Sequence, residues 1–167
     1  FGPVRTTASP APGALPPRLQ VPLPFERRGS EPGMSRYRIR LPGPHLPVAE
    51  IQLSAAGGNI LREARITEAR LSGDEMVPVV LGAATLRREM RGDLAAARLS
   101  IPVTPPGEAQ LDLVIEDGNN PPLTLDGVTA VFAYLPWIYF ESIDERPLTA
   151  RYGYPDLNEP RYDLEAA

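Results

Sequence analysis

Residues 111–125 read L-D-L-V-I-E-D-G-N-N-P-P-L-T-L. Apolar side chains fall on every second position at Leu111, Leu113 and Ile115, the period of a strand with one face buried. The turn-forming run Asp117-Gly118-Asn119-Asn120 and the pair Pro121-Pro122 then stop the pattern, which resumes at Leu123 and Leu125. Strand, turn and strand in so short a span predict an antiparallel all-β domain.

The same alternation recurs on both sides. Residues 36–41, R-Y-R-I-R-L, set Tyr37, Ile39 and Leu41 on one face and three arginines on the other. Pro42-Gly43-Pro44 ends that strand, and 48–53 starts another with Ile51 and Leu53 inward, up to a turn at Gly57-Gly58-Asn59. Residues 60–71 carry the Ala, Glu, Arg and Leu of a helix, yet they also fit a bulged strand. A strand is the expectation, because strands flank the segment and Ser72-Gly73-Asp74 supplies a hairpin turn before 76–81. Further strands are expected at 85–90 and 95–103, separated by Arg91-Gly92-Asp93, and at 127–134 and 137–142. Eight or nine short strands at regular spacing predict an antiparallel β-sandwich of jelly-roll type.

Composition agrees. A chain of 167 residues suits one core and buries roughly 70% of its unfolded surface. Its 21 prolines and 14 glycines exceed a fifth of the chain, against an average near roughly 12%, which disfavours long helices. Residues 1–24 are rich in Pro and Ala and are expected to form an arm or linker, with Leu19, Val21 and Leu23 alternating as an edge strand would; 25–167 are expected to make the sandwich. The C-terminal stretch 151–164, with Tyr152, Tyr154 and Tyr162 between prolines, reads as a second extended arm.

The net charge is -4, and all 17 basic residues are arginines scattered among acids, so nucleic acid is not an expected partner. There is no cysteine, which excludes disulfides, thiol nucleophiles and thiolate metal sites. No apolar run is long enough to span a bilayer. Phe1 in place of an initiator Met implies that the chain begins after a removed segment.

Three stretches together, 36–48 (R-Y-R-I-R-L-P-G-P-H-L-P-V), 116–123 (E-D-G-N-N-P-P-L) and 152–164 (Y-G-Y-P-D-L-N-E-P-R-Y-D-L), resemble an uncharacterised bacterial envelope family, the domain-of-unknown-function family three-nine-nine-nine. The resemblance covers most of residues 25–165. It implies a periplasmic sandwich segment of a longer protein with a signal peptide and a C-terminal membrane anchor. Any membrane attachment would then come from an anchor outside this chain. The expected sandwich is also similar to galactose-binding-like domains, which implies carbohydrate as a ligand.

Candidate chemistry is sparse. Asp117, Asn119 and Asn120, beside Glu116, offer the oxygen ligands that calcium prefers. The same residues suit a plain Asx turn, and no glutamate stands at EF-hand spacing. Trp137 and Tyr139, with Tyr134 upstream, could form a platform for a sugar ring, although alternate positions on a strand require part of the aromatic set to face the core. His45 is the only histidine; with no G-x-S-x-G elbow it forms no recognisable triad. The acid pairs Glu141 with Asp144 and Asp144 with Glu145 suit glycosidic acid and base work in type, but also plain solubility. No convergent nucleophile, base and oxyanion donor can be named. The expectation is therefore a non-catalytic envelope module that binds glycan, with a protein-interaction module docking neighbouring envelope subunits as the alternative.

Overall fold

The computed structural model describes residues 17–91 and 94–134. Among them there is no helix; ten strands make two antiparallel sheets. The strands are β1 (Gln20–Pro22), β2 (Phe25–Arg28), β3 (Met34–Arg40), β4 (Val48–Ala55), β5 (Ile60–Ser72), β6 (Glu75–Arg91), β7 (Leu94–Arg98), β8 (Ser100–Pro102), β9 (Gln110–Glu116) and β10 (Leu125–Phe132). The smaller sheet runs β1-β10-β4-β8 and the larger β2-β3-β9-β5-β6-β7. The domain is an all-β sandwich.

Four pairings are nested in sequence: β1 with β10, β3 with β9, β4 with β8, and β5 with β6. The chain thus behaves as one long hairpin folded over, with the β5–β6 turn at its tip. There Ser72 pairs with Glu75, leaving Gly73-Asp74 as a two-residue loop. Gly73 takes φ +63°, a conformation that glycine adopts at the first loop position without steric penalty.

Alternation builds the core as expected. On β9, Leu111, Leu113 and Ile115 are fully buried, as are Ile39 on β3 and Ile66 on β5. Ile51 on β4 and Ile101 on β8 are buried in the same core cluster from the smaller sheet. Each such side chain contributes about 1.5–3 kcal/mol relative to exposure. Tyr37 is buried too, packs edge-on against Phe25 at 6.1 Å, and donates its hydroxyl to the Leu123 carbonyl.

Several boundaries differ from the sequence reading. Strands expected at 76–81 and 85–90 are one continuous β6, because Gly82 serves a close approach and not a turn. A Cβ there would stand 2.0 Å from the Pro102 carbonyl oxygen. Just before it, Ile66 pairs with Gly82 and Thr67 with Val80, so Leu81 is the extra residue of a bulge. Leu81 is buried, and its carbonyl accepts from the Thr104 N–H at 2.9 Å. The strand expected over 95–103 divides at Leu99, where the chain leaves the larger sheet as β7 and enters the smaller as β8. β2 was not anticipated. β1, within the predicted N-terminal arm, is an edge strand on β10, where Pro22 costs the ladder little. The strand expected at 137–142 lies outside the described residues.

Candidate functional site

The alternation that buries Tyr37 and Ile39 turns Arg36, Arg38 and Arg40 to the outer face of the larger sheet. β2 pairs alongside, setting Arg28 opposite Arg36 and Glu26 opposite Arg38. On the other side of β3, Val114 stands between Arg36 and Arg65 in register, and it is buried although it faces outward. Long arginine stems on both flanks account for that, since they cover apolar surface while keeping the charged head in water.

A concavity of about 330 Å³ opens at the β2 edge, lined by Arg27, Arg28, Gly29, Arg36, Arg38 and Asp112. Two of its arginines are held by acids. Arg38 Nε lies 3.3 Å from Asp112 Oδ1, and Arg28 Nη1 lies 3.3 Å from Glu26 Oε1. Arg27 and Arg36 make no ion pair among the described residues. Arg27 stands opposite Tyr37 on the other face of the sheet, so the outer-face hollow has two anchored guanidinium groups, one uncommitted at Arg36, and one carboxylate. Arg27 also lies near enough to Tyr37 for its charge to ease deprotonation of the phenol, but burial outweighs it and pushes the Tyr37 pKa up.

The residues singled out in the sequence do not converge there. Tyr134 is 49% exposed, and the Arg18 guanidinium sits 5.3 Å from its ring centroid. That cation–π contact occupies one face of the ring. Trp137, Tyr139, Glu141, Asp144 and Glu145 lie outside the described residues.

Asp117 points inward at 2% exposure. Its Oδ2 accepts the Ser35 hydroxyl at 2.6 Å and its Oδ1 the Leu123 N–H at 3.1 Å, with Arg62 Nε 3.7 Å away. The Asp117 carbonyl accepts both the backbone and side-chain N–H of Asn120, and Gly118 takes φ +59°. Asn119 is exposed. The carboxylate is therefore the internal acceptor of the turn, and no cluster of three or more His, Asp or Glu side chains suited to a metal occurs among the described residues.

His45 occupies an exposed loop position with φ 55°. Across from that loop the sequence reading missed Glu68, a buried carboxylate on β5. Glu68 accepts Arg70 Nε at 2.5 Å through Oε1, and the N–H groups of Gly107 and Glu108 at 2.9 and 3.0 Å through Oε2. It fastens the β8–β9 loop. The arginine hollow was missed as well. The R-Y-R-I-R pattern shows an arginine face, but only the register with the unanticipated β2 brings Arg28 beside it.

Comparison with protein-family models, curated proteins and solved structures finds no match for this chain.

Proposed function

We propose that this chain is a non-catalytic β-sandwich module of jelly-roll type, belonging to a bacterial periplasmic or cell-envelope protein, and that it binds carbohydrate. The nested pairings support the jelly-roll reading. With β2 and β7 set aside as edge additions, the orders β1-β10-β4-β8 and β3-β9-β5-β6 are those of two interleaved Greek keys, an architecture that lectin domains share. The envelope reading rests on the three motifs that resemble the domain-of-unknown-function family.

The observation that carries a binding role is the hollow on the outer face of the larger sheet. It combines several guanidinium donors with a carboxylate acceptor on three adjacent strands, the few polar groups by which ligands are oriented. The non-catalytic reading is supported by the commitments of the acids. Asp117 and Glu68 are engaged with structural donors, and neither Ser nor His lines the hollow. A glycan array probed with the whole chain tests the proposal: binding to one glycan class supports it, and no binding to any glycan overturns it. If stacking contributes, Trp137→Ala abolishes that binding, and survival of binding removes the aromatic platform.

A second reading, a protein-interaction module, is favoured by the β5–β6 ribbon. Beyond the last β5–β9 pair, Glu68 with Leu111, the ribbon continues with Leu71 and Met76 directly opposed. Leu71, Met76 and Val80 are 70%, 62% and 60% exposed. Apolar groups gathered in this way on a surface are typical of partner contacts.

A further inference from the structure

We infer that the chain associates with a second copy of itself through the outer face of the β5–β6 ribbon, the two ribbons packing face to face and antiparallel about a two-fold axis. The inference rests on the protein-interaction reading above and names the partner.

The ribbon offers a face and withholds an edge. β7 pairs with β6 only over Arg87–Arg91, so the outer edge of β6 near the tip has no strand beside it among the described residues. The two-residue loop makes Ser72 and Glu75 a hydrogen-bonded pair, and bonded pairs alternate with non-bonded ones along an antiparallel ladder. Pro78, three residues on, therefore stands in a non-bonded pair with Ala69, its nitrogen turned to the open edge. A proline there costs the ribbon no bond and denies an N–H to any added strand. A partner is left the outer face, where Leu71 with Met76, Ala69 with Pro78 and Thr67 with Val80 form cross-strand rows.

The charges at the two ends of this stripe select the occupant. Beyond the Leu71–Met76 row the tip carries Asp74 and Glu75, both exposed. Below the Thr67–Val80 row, on the same face, the register sets Arg36, Val114, Arg65 and Ala83 side by side. Arg36 has no acid among the described residues, and Arg65 lies 3.7 Å from Glu116 at the surface, which leaves guanidinium donors unused. An acidic end and a basic end on either side of an apolar centre are self-complementary under a two-fold axis. With that axis crossing the strands at the Ala69–Pro78 row, Met76 packs on the partner's Val80 and Asp74 reaches the partner's Arg65. The parallel arrangement would instead oppose two acidic tips and two arginine faces, and like charges disfavour it.

The size of the stripe sets the strength. Leu71, Met76 and Val80 are well exposed, but a stripe of this kind amounts to a few hundred Å², below the roughly 600 Å² per copy of a stable interface. The dimer is therefore weak, with a dissociation constant on the order of 100 μM.

The test is sedimentation velocity on the whole chain from about 10 μM to about 1 mM, a tenfold span on either side of that constant. A reversible shift from monomer to dimer is expected. Leu71→Ser with Met76→Ser weakens it at least about tenfold. Asp74→Arg weakens it by about threefold or more, and adding Arg65→Asp to that variant restores it; thermal melts check that every variant is folded. A chain that stays monomeric at about 1 mM overturns the inference, as does a dimer indifferent to the two serines or a charge swap that restores nothing. The protein-interaction reading outlives that result only if a different protein binds the chain and the same two serine substitutions abolish its binding.

Discussion

Asp117 has both carboxylate oxygens engaged by groups distant in sequence: the Ser35 hydroxyl from β3 and the Leu123 N–H beyond the turn. Removing a buried charge of this kind orphans its donors, at a cost of about 3–5 kcal/mol. Asp117→Ala is therefore expected to lower stability by about 3 kcal/mol, measured as a lower urea midpoint, with Asp117→Asn losing less because an acceptor oxygen remains. With its acceptors already occupied, the turn is expected to keep the same melting temperature when calcium is added. Tyr37 makes a pH prediction. Burial raises its pKa above the ordinary 10.0, so the folded state holds the phenolic proton more tightly than the unfolded chain does. The stability this confers is complete below the unfolded value and is lost as pH rises through the folded one. Tyr37→Phe is expected to flatten that alkaline loss in stability measured from pH 9 upward, on the order of the range where phenols titrate. It also removes the hydrogen bond to Leu123, lowering stability near neutrality by about 1 kcal/mol.

At the scale of elements, β6 is the strand on which the sandwich turns. A bulge at Leu81 is followed by Gly82, where the Pro102 carbonyl comes so close that no side chain fits. The obstacle is backbone, so a rotamer change cannot relieve it. Gly82→Ala is expected to cost about 2–3 kcal/mol, a larger loss than alanine at exposed Gly58, where nothing lies within 4 Å; thermal melts of the two variants decide it. Glu68 does related work on the loop after β8. It is the acceptor for two successive N–H groups there, and Glu68→Ala is expected to increase hydrogen exchange at Gly107 and Glu108 ahead of the rest of the domain.

For the molecule as a whole, nested pairing means that the outermost contacts join distant parts of the chain: β1 meets β10 across Gln20 and Val131. Loop closure must precede such contacts, and folding on the order of milliseconds to seconds is expected from stopped-flow measurements. The exposed ribbon yields a separate test. If its apolar face joins a partner or a second copy, Leu71→Ser with Met76→Ser abolishes that association in light scattering and leaves the melting temperature nearly unchanged, because both side chains are mostly exposed.

The period-two code at Leu111, Leu113 and Ile115, and again at Tyr37 and Ile39, determined strand, face and core from local order alone, because alternation requires no knowledge of partners. Gly73 likewise announced its turn. Tertiary structure alone decided the rest. Phe25–Arg28 lacks alternation because β2 is an edge with little to bury, and Leu99 separates two strands only because two sheets claim the chain on either side. Ser35 and Asp117 meet across 82 residues and Glu68 and Gly107 across 39. Which charges gather into a hollow depends on strand register, a long-range property that local spacing does not contain.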